Sequence, residues 1–292
     1  MTTSKKKSRN RWLLIIIILL AAAALYVYLN DQAPADTVQD AVLNVLVIDV
    51  GQADSILVTM STGETMLIDA GDASSADAIS GELDERGITR IDVLVATHPH
   101  ADHIGGMSSV IERYGIGTIY MPDMTSDSKV YKNLIKTIDD KSIPVTEAYA
   151  GEQFSLGAVR CTIVSPGKDD DIDANNESVA IFLDYRDTEC LFTGDMEERA
   201  EKEMLEDSAM IDADILKVAH HGSSTGTTEE FLTAVSPDYA VISCGKGNSY
   251  GHPHDETLDL LSDYGLKPYR TDVSGDILFT SDGHTIQVTT GD

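Results

Sequence analysis

Thr97-His98-Pro99-His100-Ala101-Asp102-His103-Ile104-Gly105-Gly106 follows directly on the apolar run Ile91-Asp92-Val93-Leu94-Val95-Ala96. The run has the length and β-branched content of a buried strand. Pro99 bars the middle of a helix, so the stretch reads as a tight loop at a strand's C-terminal end, where α/β sheets place their sites. Three histidines and one aspartate fall within six residues. Imidazoles and a carboxylate at that density repel or desolvate one another unless a cation lies between them. Zinc or a similar divalent metal suits mixed nitrogen and oxygen ligands. His98 and His100, two residues apart, can approach one ion from the same side. Asp102 and His103, beyond the turn, suit a second.

Other stretches extend the pattern. They are Asp49-Val50-Gly51-Gln52-Ala53-Asp54-Ser55, Leu67-Ile68-Asp69-Ala70-Gly71, Phe192-Thr193-Gly194-Asp195, Lys217-Val218-Ala219-His220-His221-Gly222-Ser223 and Tyr250-Gly251-His252-Pro253-His254. Together with His98-Pro99-His100-Ala101-Asp102-His103, they make residues 43–290 resemble the metallo-β-lactamase superfamily, and within it the ComEC-like branch. The resemblance implies an α/β fold, the four-layer αββα sandwich, and hydrolysis by a water activated between two metals about 3.5–4 Å apart. It makes Asp195 the carboxylate that bridges the two ions and positions the water. It gives Asp49, Gln52, Asp54 and Asp69 the task of orienting the histidines from behind.

The expected metal ligands are therefore His98, His100, Asp102, His103, Asp195 and His221, holding two Zn²⁺ ions, with Mn²⁺ as the alternative. Adjacent strand residues point to opposite faces, so one of His220 and His221 is a ligand. His221 is taken for that role, and His220 then meets the substrate or leaving group. Many superfamily members carry a further histidine between the loop and the bridging aspartate. None lies between His103 and His220 here, and Asn175-Asn176-Glu177-Ser178 occupies the interval. Water or the Asn176 carbonyl would complete the first shell. Asn176, Lys246, His252 and His254 are the expected substrate contacts, and Asp102, Asp195, His220 and His254 the catalytic set.

Composition limits the partners. Of 292 residues, 21 are basic and 49 acidic. Five of the bases precede Asp31, leaving 16 against 49 and a net charge of −33 on the remainder. Such a body repels polyanions at long range and does not read as a general nucleic-acid-coating surface. The three cysteines, Cys161, Cys190 and Cys244, are far apart and odd in number. They form no disulfide framework and read as buried thiols, with a Cys161–Cys190 bridge as the alternative for an extracellular body.

The first 11 residues are a basic tail, and residues 12–29 are 18 residues without a charge. As a helix they span roughly 27 Å, close to the ~30 Å of a bilayer's hydrocarbon. Trp12, Tyr26 and Tyr28 suit its interfaces, and the basic flank stays cytoplasmic. A single transmembrane helix therefore precedes the domain. It tethers the chain to the cell membrane and places residues 42–292 outside, after a polar linker at 30–41. A cleaved signal peptide is the competing reading, and it too exports the body.

Residues 42–50, 54–60 and 65–70 read as a strand meander. Helices are expected at 73–86, 105–114 and 126–140, with a strand at 117–121. The second half repeats the scheme. Strands are expected at 159–164, 179–185, 189–193, 213–219 and 239–243, helices at 196–206, 228–235 and 256–264, and closing strands near 276–280 and 285–289. Two packed sheets with outer helices follow. The function expected is an outward-facing metal-dependent hydrolase of phosphodiesters, either DNA or a small or cell-wall ester. A metal-stabilised binding or sensor domain without catalysis is the alternative.

Overall fold

The computed structural model describes residues 41–167, 173–206 and 211–291. The chain divides into two units, Met1–Ala41 and Val42–Asp292, and every described element lies in the second. The expected tail, anchor and linker lie outside the described residues, apart from residue 41. Among the described residues no helix is long and apolar enough to cross a membrane.

The first half begins with the meander β1 (Leu43–Val47), β2 (Ile56–Met60) and β3 (Thr65–Ile68). Helix α1 (Ala76–Glu85) leads to β4 (Arg90–Val95). Helices α2 (Ala101–Ile104) and α3 (Met107–Arg113), strand β5 (Gly115–Met121), helix α4 (Lys129–Lys141) and strand β6 (Val145–Glu147) follow. Strands β3 to β6 are parallel neighbours. The side chains alternate. Leu46, Leu57, Leu67, Leu94 and Ile119 meet the apolar faces of α1, α3 and α4 through Ile79, Leu83, Val110, Leu134 and Ile138. Val45, Val58, Met66, Ile68 and Val95 are buried on the other side. A sheet apolar on both faces needs cover on both.

The second sheet supplies that cover. It comprises β7 (Gln153–Leu156), β8 (Val159–Ser165), β9 (Ala180–Tyr185), β10 (Thr188–Phe192), β11 (Ile215–Lys217), β12 (Tyr239–Ile242) and β13 (Tyr269–Arg270). Phe182, Leu191, Leu216 and Ile242 pack under α5 (Glu198–Glu206), α6 (Glu229–Val235) and α7 (Asp255–Asp263) through Met204, Phe231, Leu232 and Leu261. Ile163, Ile181, Leu183, Phe192 and Ile215 are buried on the opposite face. After α8 (Thr271–Ser274), the hairpin of β14 (Ile277–Ser281) and β15 (Ile286–Thr290) returns to the first sheet, where β14 pairs with β1. Among the described residues the sheets therefore have eight and seven strands, in the helix–sheet–sheet–helix sandwich expected.

Three local expectations change. The helix expected at 105–114 runs only from Met107 to Arg113, and ahead of it Ala101–Ile104 forms a helical turn of its own, so Asp102 and His103 sit on a helix. Pro99 blocks helix only up to its own position, and His100, extended at φ −80°, starts a new one. Gly106 permits the join, because a Cβ there would collide with Ala70 O. The strand at 213–219 ends at Lys217. Strands β6, β7 and β13 escaped notice because they are short and polar or only half-buried. The cysteines are free and buried. Cys161 and Cys190 lie on strands flanking β9, both in register with Leu183.

Candidate metal centre

The C-terminal ends of parallel strands from both sheets meet at one place, as strand polarity requires of an open α/β site. β3 delivers Asp69, β4 delivers His98 to His103, β10 delivers Asp195, and β11 delivers His220 and His221. Asp102, His103, Asp195 and His221 offer ligand atoms that all lie within 4.8 Å of one another. Asp195 Oδ2 is the common neighbour. It is 3.2 Å from His103 Nε2, 3.6 Å from His221 Nε2, 3.8 Å from His220 Nε2 and 3.9 Å from His98 Nε2. His221 Nε2 is also 3.6 Å from Asp102 Oδ2. His98 Nε2 faces His100 Nδ1 at 3.0 Å.

The backs of these ligands are held. His103 Nδ1 donates to Asp69 Oδ2 at 2.7 Å, and that carboxylate also accepts from Thr97 N and Thr97 Oγ1. His221 Nδ1 donates to Ser243 O at 3.0 Å and lies 3.4 Å from Asp54 Oδ1. The Asp195 amide donates to Ser178 Oγ. Gly194 makes this turn at φ +54°, where a Cβ would press on Ser178 and Thr97. With both imidazoles protonated at Nδ1, their Nε2 lone pairs are free to bind.

Among the described residues, His103 Nε2, His221 Nε2 and Asp195 Oδ1 are buried without a hydrogen-bond partner. Each such atom costs ~1–3 kcal/mol. Three such atoms on residues gathered in one site fit a divalent cation, which can accept lone pairs from all three residues at once. Electrostatics agree. Burial works against charge on His221, yet Asp195 and Asp54 outweigh it and lift its pKa to about 10. His103 is lifted well above its usual value in the same way, by Asp195 and Asp69 against burial. The carboxylates thus demand positive charge here, from protons or from a metal, and metal binding displaces the protons. A second grouping, Asp54, Asp69 and His103, is already engaged: Asp69 holds His103, and Asp54 Oδ2 is 2.9 Å from Lys217 Nζ.

His220 and His221 are not on a strand. Both adopt left-handed backbone, at φ +48° and +55°, a conformation costing ~1–3 kcal/mol for each non-glycine residue. The turn is fixed by His220 N donating to Gly194 O and Ser223 N to His220 O. Strand alternation therefore does not apply, and both rings reach Asp195. His221 is in the four-residue group, while His220 is held from behind by Glu197 Oε1, 3.2 Å from its Nδ1.

The remaining expected residues are more dispersed. Asn176 Oδ1 accepts from Glu197 N and Ala200 N, and its Nδ2 donates to Asp173. Its amide is thus spent on the start of α5. His252 lies beside the centre, its ring centroid 5.5 Å from that of His220. His254 Nδ1 accepts from Ser224 N, and its Nε2 is 3.3 Å from Tyr250 O, so both nitrogens serve the loop. Lys246 is exposed on that loop. Asp49 accepts from Gly51 N in a turn. The sequence reading missed Thr97, Ser178, Glu197 and Lys217. Of these only Lys217 carried a signal, a cation inside an apolar strand.

The sequence profile of the metallo-β-lactamase superfamily matches residues 48–125 and 172–246. The chain is 29% identical over 249 residues to ComE operon protein 3 of Bacillus subtilis (strain 168), covering 80% of this chain and 32% of that protein. It is 30% identical over 237 residues to competence protein ComA of Neisseria gonorrhoeae, again covering 80% and 32%. The chain thus spans about a third of the length of these relatives. Among solved structures, the metallo-hydrolase Igni18 from Ignicoccus hospitalis superposes with a TM-score of 0.52 at 14% identity, covering 82% of this chain and 98% of that one.

Proposed function

The chain belongs to the metallo-β-lactamase superfamily, and from that premise we propose that it is a metal-dependent hydrolase of phosphodiesters. The observation that carries this reading is that Asp102, His103, Asp195 and His221 bring ligand atoms within 4.8 Å of one another, while His103 Nε2, His221 Nε2 and Asp195 Oδ1 are buried without a hydrogen-bond partner among the described residues. A divalent cation, Zn²⁺ or Mn²⁺, supplies there the Lewis acidity that activates water and offsets charge on the attacked group. Asp102, His103, Asp195 and His221 would hold one such ion, and His98, His100 and Asp195 a second. Asp195 would belong to both sets and orient the attacking water. His220, braced by Glu197, faces the leaving group. His252 and Lys246 meet the substrate's anionic oxygens, and His254 shapes the loop that carries them.

The acidic body, at net −33 after the basic tail, favours a small or cell-wall phosphodiester, or one exposed strand of DNA, over a long duplex. The competence proteins among the relatives keep DNA among the candidates. We further propose that residues 12–29 anchor the domain on the outer face of the cell membrane.

The test is metal content together with turnover of bis-p-nitrophenyl phosphate, single-stranded DNA and phosphocholine esters, with and without Zn²⁺ or Mn²⁺. Two bound ions and turnover abolished by His103→Ala support the hydrolase. One tightly held ion with no turnover of any ester supports the non-catalytic binding domain instead.

A further inference from the structure

His252 sits at the rim of the candidate metal centre, its ring centroid 5.5 Å from that of His220 and 6.2 Å from that of His221. Its backbone is bracketed by one side chain: His252 N donates to Asn248 Oδ1 and Asn248 Nδ2 donates to His252 O. Its ring is gripped by another, because Gln52 Nε2 is 3.3 Å from His252 Nδ1. The other end of the Gln52 amide is committed. Gly245 N, which can only donate, meets Gln52 Oε1 at 3.0 Å. A Cβ on Gly245 would lie 2.7 Å from Gln52 N, so glycine is what lets the loop close on this residue.

The donor and acceptor inventory then leaves one arrangement. Gly245 N–H fixes the Gln52 oxygen on its side. The Gln52 NH₂ group, a donor only, therefore faces His252 Nδ1. A proton on Nδ1 would point at two others, so Nδ1 must accept. The ring proton sits on Nε2, which has no hydrogen-bond partner among the described residues. We propose that Gln52 is a positioning residue that locks His252 in its Nε2–H tautomer, so that His252 presents an N–H donor to an anionic oxygen of the substrate. The substrate half of this statement rests on the hydrolase reading; the tautomer half does not.

The test uses the full chain, ¹⁵N-labelled at histidine, with the His252 signals assigned by their loss in His252→Asn. The expected pattern is a pyridine-type Nδ1 and a pyrrole-type Nε2. Gln52→Glu replaces the donor by an acceptor and should move a proton onto Nδ1. Gln52→Leu removes both and should mix the tautomers, raising KM for bis-p-nitrophenyl phosphate about tenfold with bound metal unchanged, the factor that ~1.4 kcal/mol makes. A protonated Nδ1 in the unsubstituted chain overturns the proposal, as does an unprotonated Nδ1 in Gln52→Glu. An unchanged KM in Gln52→Leu overturns its substrate half. Absence of any turnover by the unsubstituted chain defeats the hydrolase reading, and the tautomer readout still decides this one.

Discussion

Lys217 Nζ lies 2.9 Å from Asp54 Oδ2, with both side chains closed off from solvent. Asp54 belongs to the β1–β2 turn of the eight-stranded sheet, and Lys217 ends β11 of the seven-stranded sheet. The pair therefore crosses between the sheets that carry the two halves of the metal centre. His98 to His103 come from one side and Asp195 and His221 from the other. Asp54 also donates its amide to Asp102 O at 3.1 Å and faces His221 at 3.4 Å. One residue thus touches both halves, the first through its backbone amide and the second through its carboxylate.

Removing one partner of such a pair leaves an uncompensated buried charge, at about 3–5 kcal/mol. Lys217→Met is expected to lose that much stability in urea denaturation. The double variant Asp54→Asn/Lys217→Met should recover part of it, because neither charge is then stranded. Additive losses in the double-mutant cycle would contradict a cross-sheet clamp.

Asp69 holds His103 through a 2.7 Å hydrogen bond to Nδ1. Partners of this kind typically change metal affinity by about 10–100-fold. Asp69→Asn should weaken Zn²⁺ binding by that factor in equilibrium dialysis, and His221→Ala by more. Undiminished affinity in both variants would remove these residues from the centre.

Asn176 spends its amide oxygen on Glu197 N and Ala200 N at the start of α5. Asn176→Ala should therefore cost about 0.5–2 kcal/mol of stability, as lost caps do, and leave metal content unchanged. Asn176→Asp keeps the acceptor but turns the Asp173 contact into a pair of facing carboxylates, so it should recover only part of the stability that Asn176→Ala loses. Loss of a metal equivalent in either variant would restore Asn176 as a ligand.

Glu189 lies opposite Asp184 across the β9–β10 pairing, and its amide donates to Asp214. Burial, then the Asp214 carboxylate, lifts its pKa from 4.5 to about 7. A carboxyl raised in the folded state favours folding fully below pH 4.5. That contribution is lost as pH rises through 7, because the unfolded chain ionises first. Glu189→Gln should match the unsubstituted protein at pH 4 and melt higher at pH 8, by about 2–4 °C, the shift ~1 kcal/mol makes in a domain of this size. Equal melting temperatures at pH 8 would refute the strain.

The sandwich was legible because its physics is local. Residues 65–70 and 91–96 are apolar on both faces and need two layers of cover. The helical spacing of Ile79 with Leu83, and of Leu134 with Ile138, provides one of them. The metal loop was legible because imidazoles and a carboxylate at such short spacing need a cation. Boundaries erred where the pattern was too short to register, as at Val145–Glu147, or where proline was given too long a reach, as at Ala101–Ile104.

By itself, then, the sequence determined the layers and the metal-binding residue types that the fold gathers in one place, since side-chain periodicity and donor chemistry act between near neighbours. Only the tertiary structure decided which groups are placed to share a cation and which are occupied elsewhere. It turned His220 and His221 to the same side on left-handed backbone, committed Asn176 to a helix start, and set Lys217 against Asp54 and Gln52 against His252. Each of these joins residues brought together by the meeting of two sheets, by a turn that breaks strand alternation or, for Asn176, by the packing of a loop on a helix start 21 to 24 residues further along, and no local pattern along the chain encodes such a meeting.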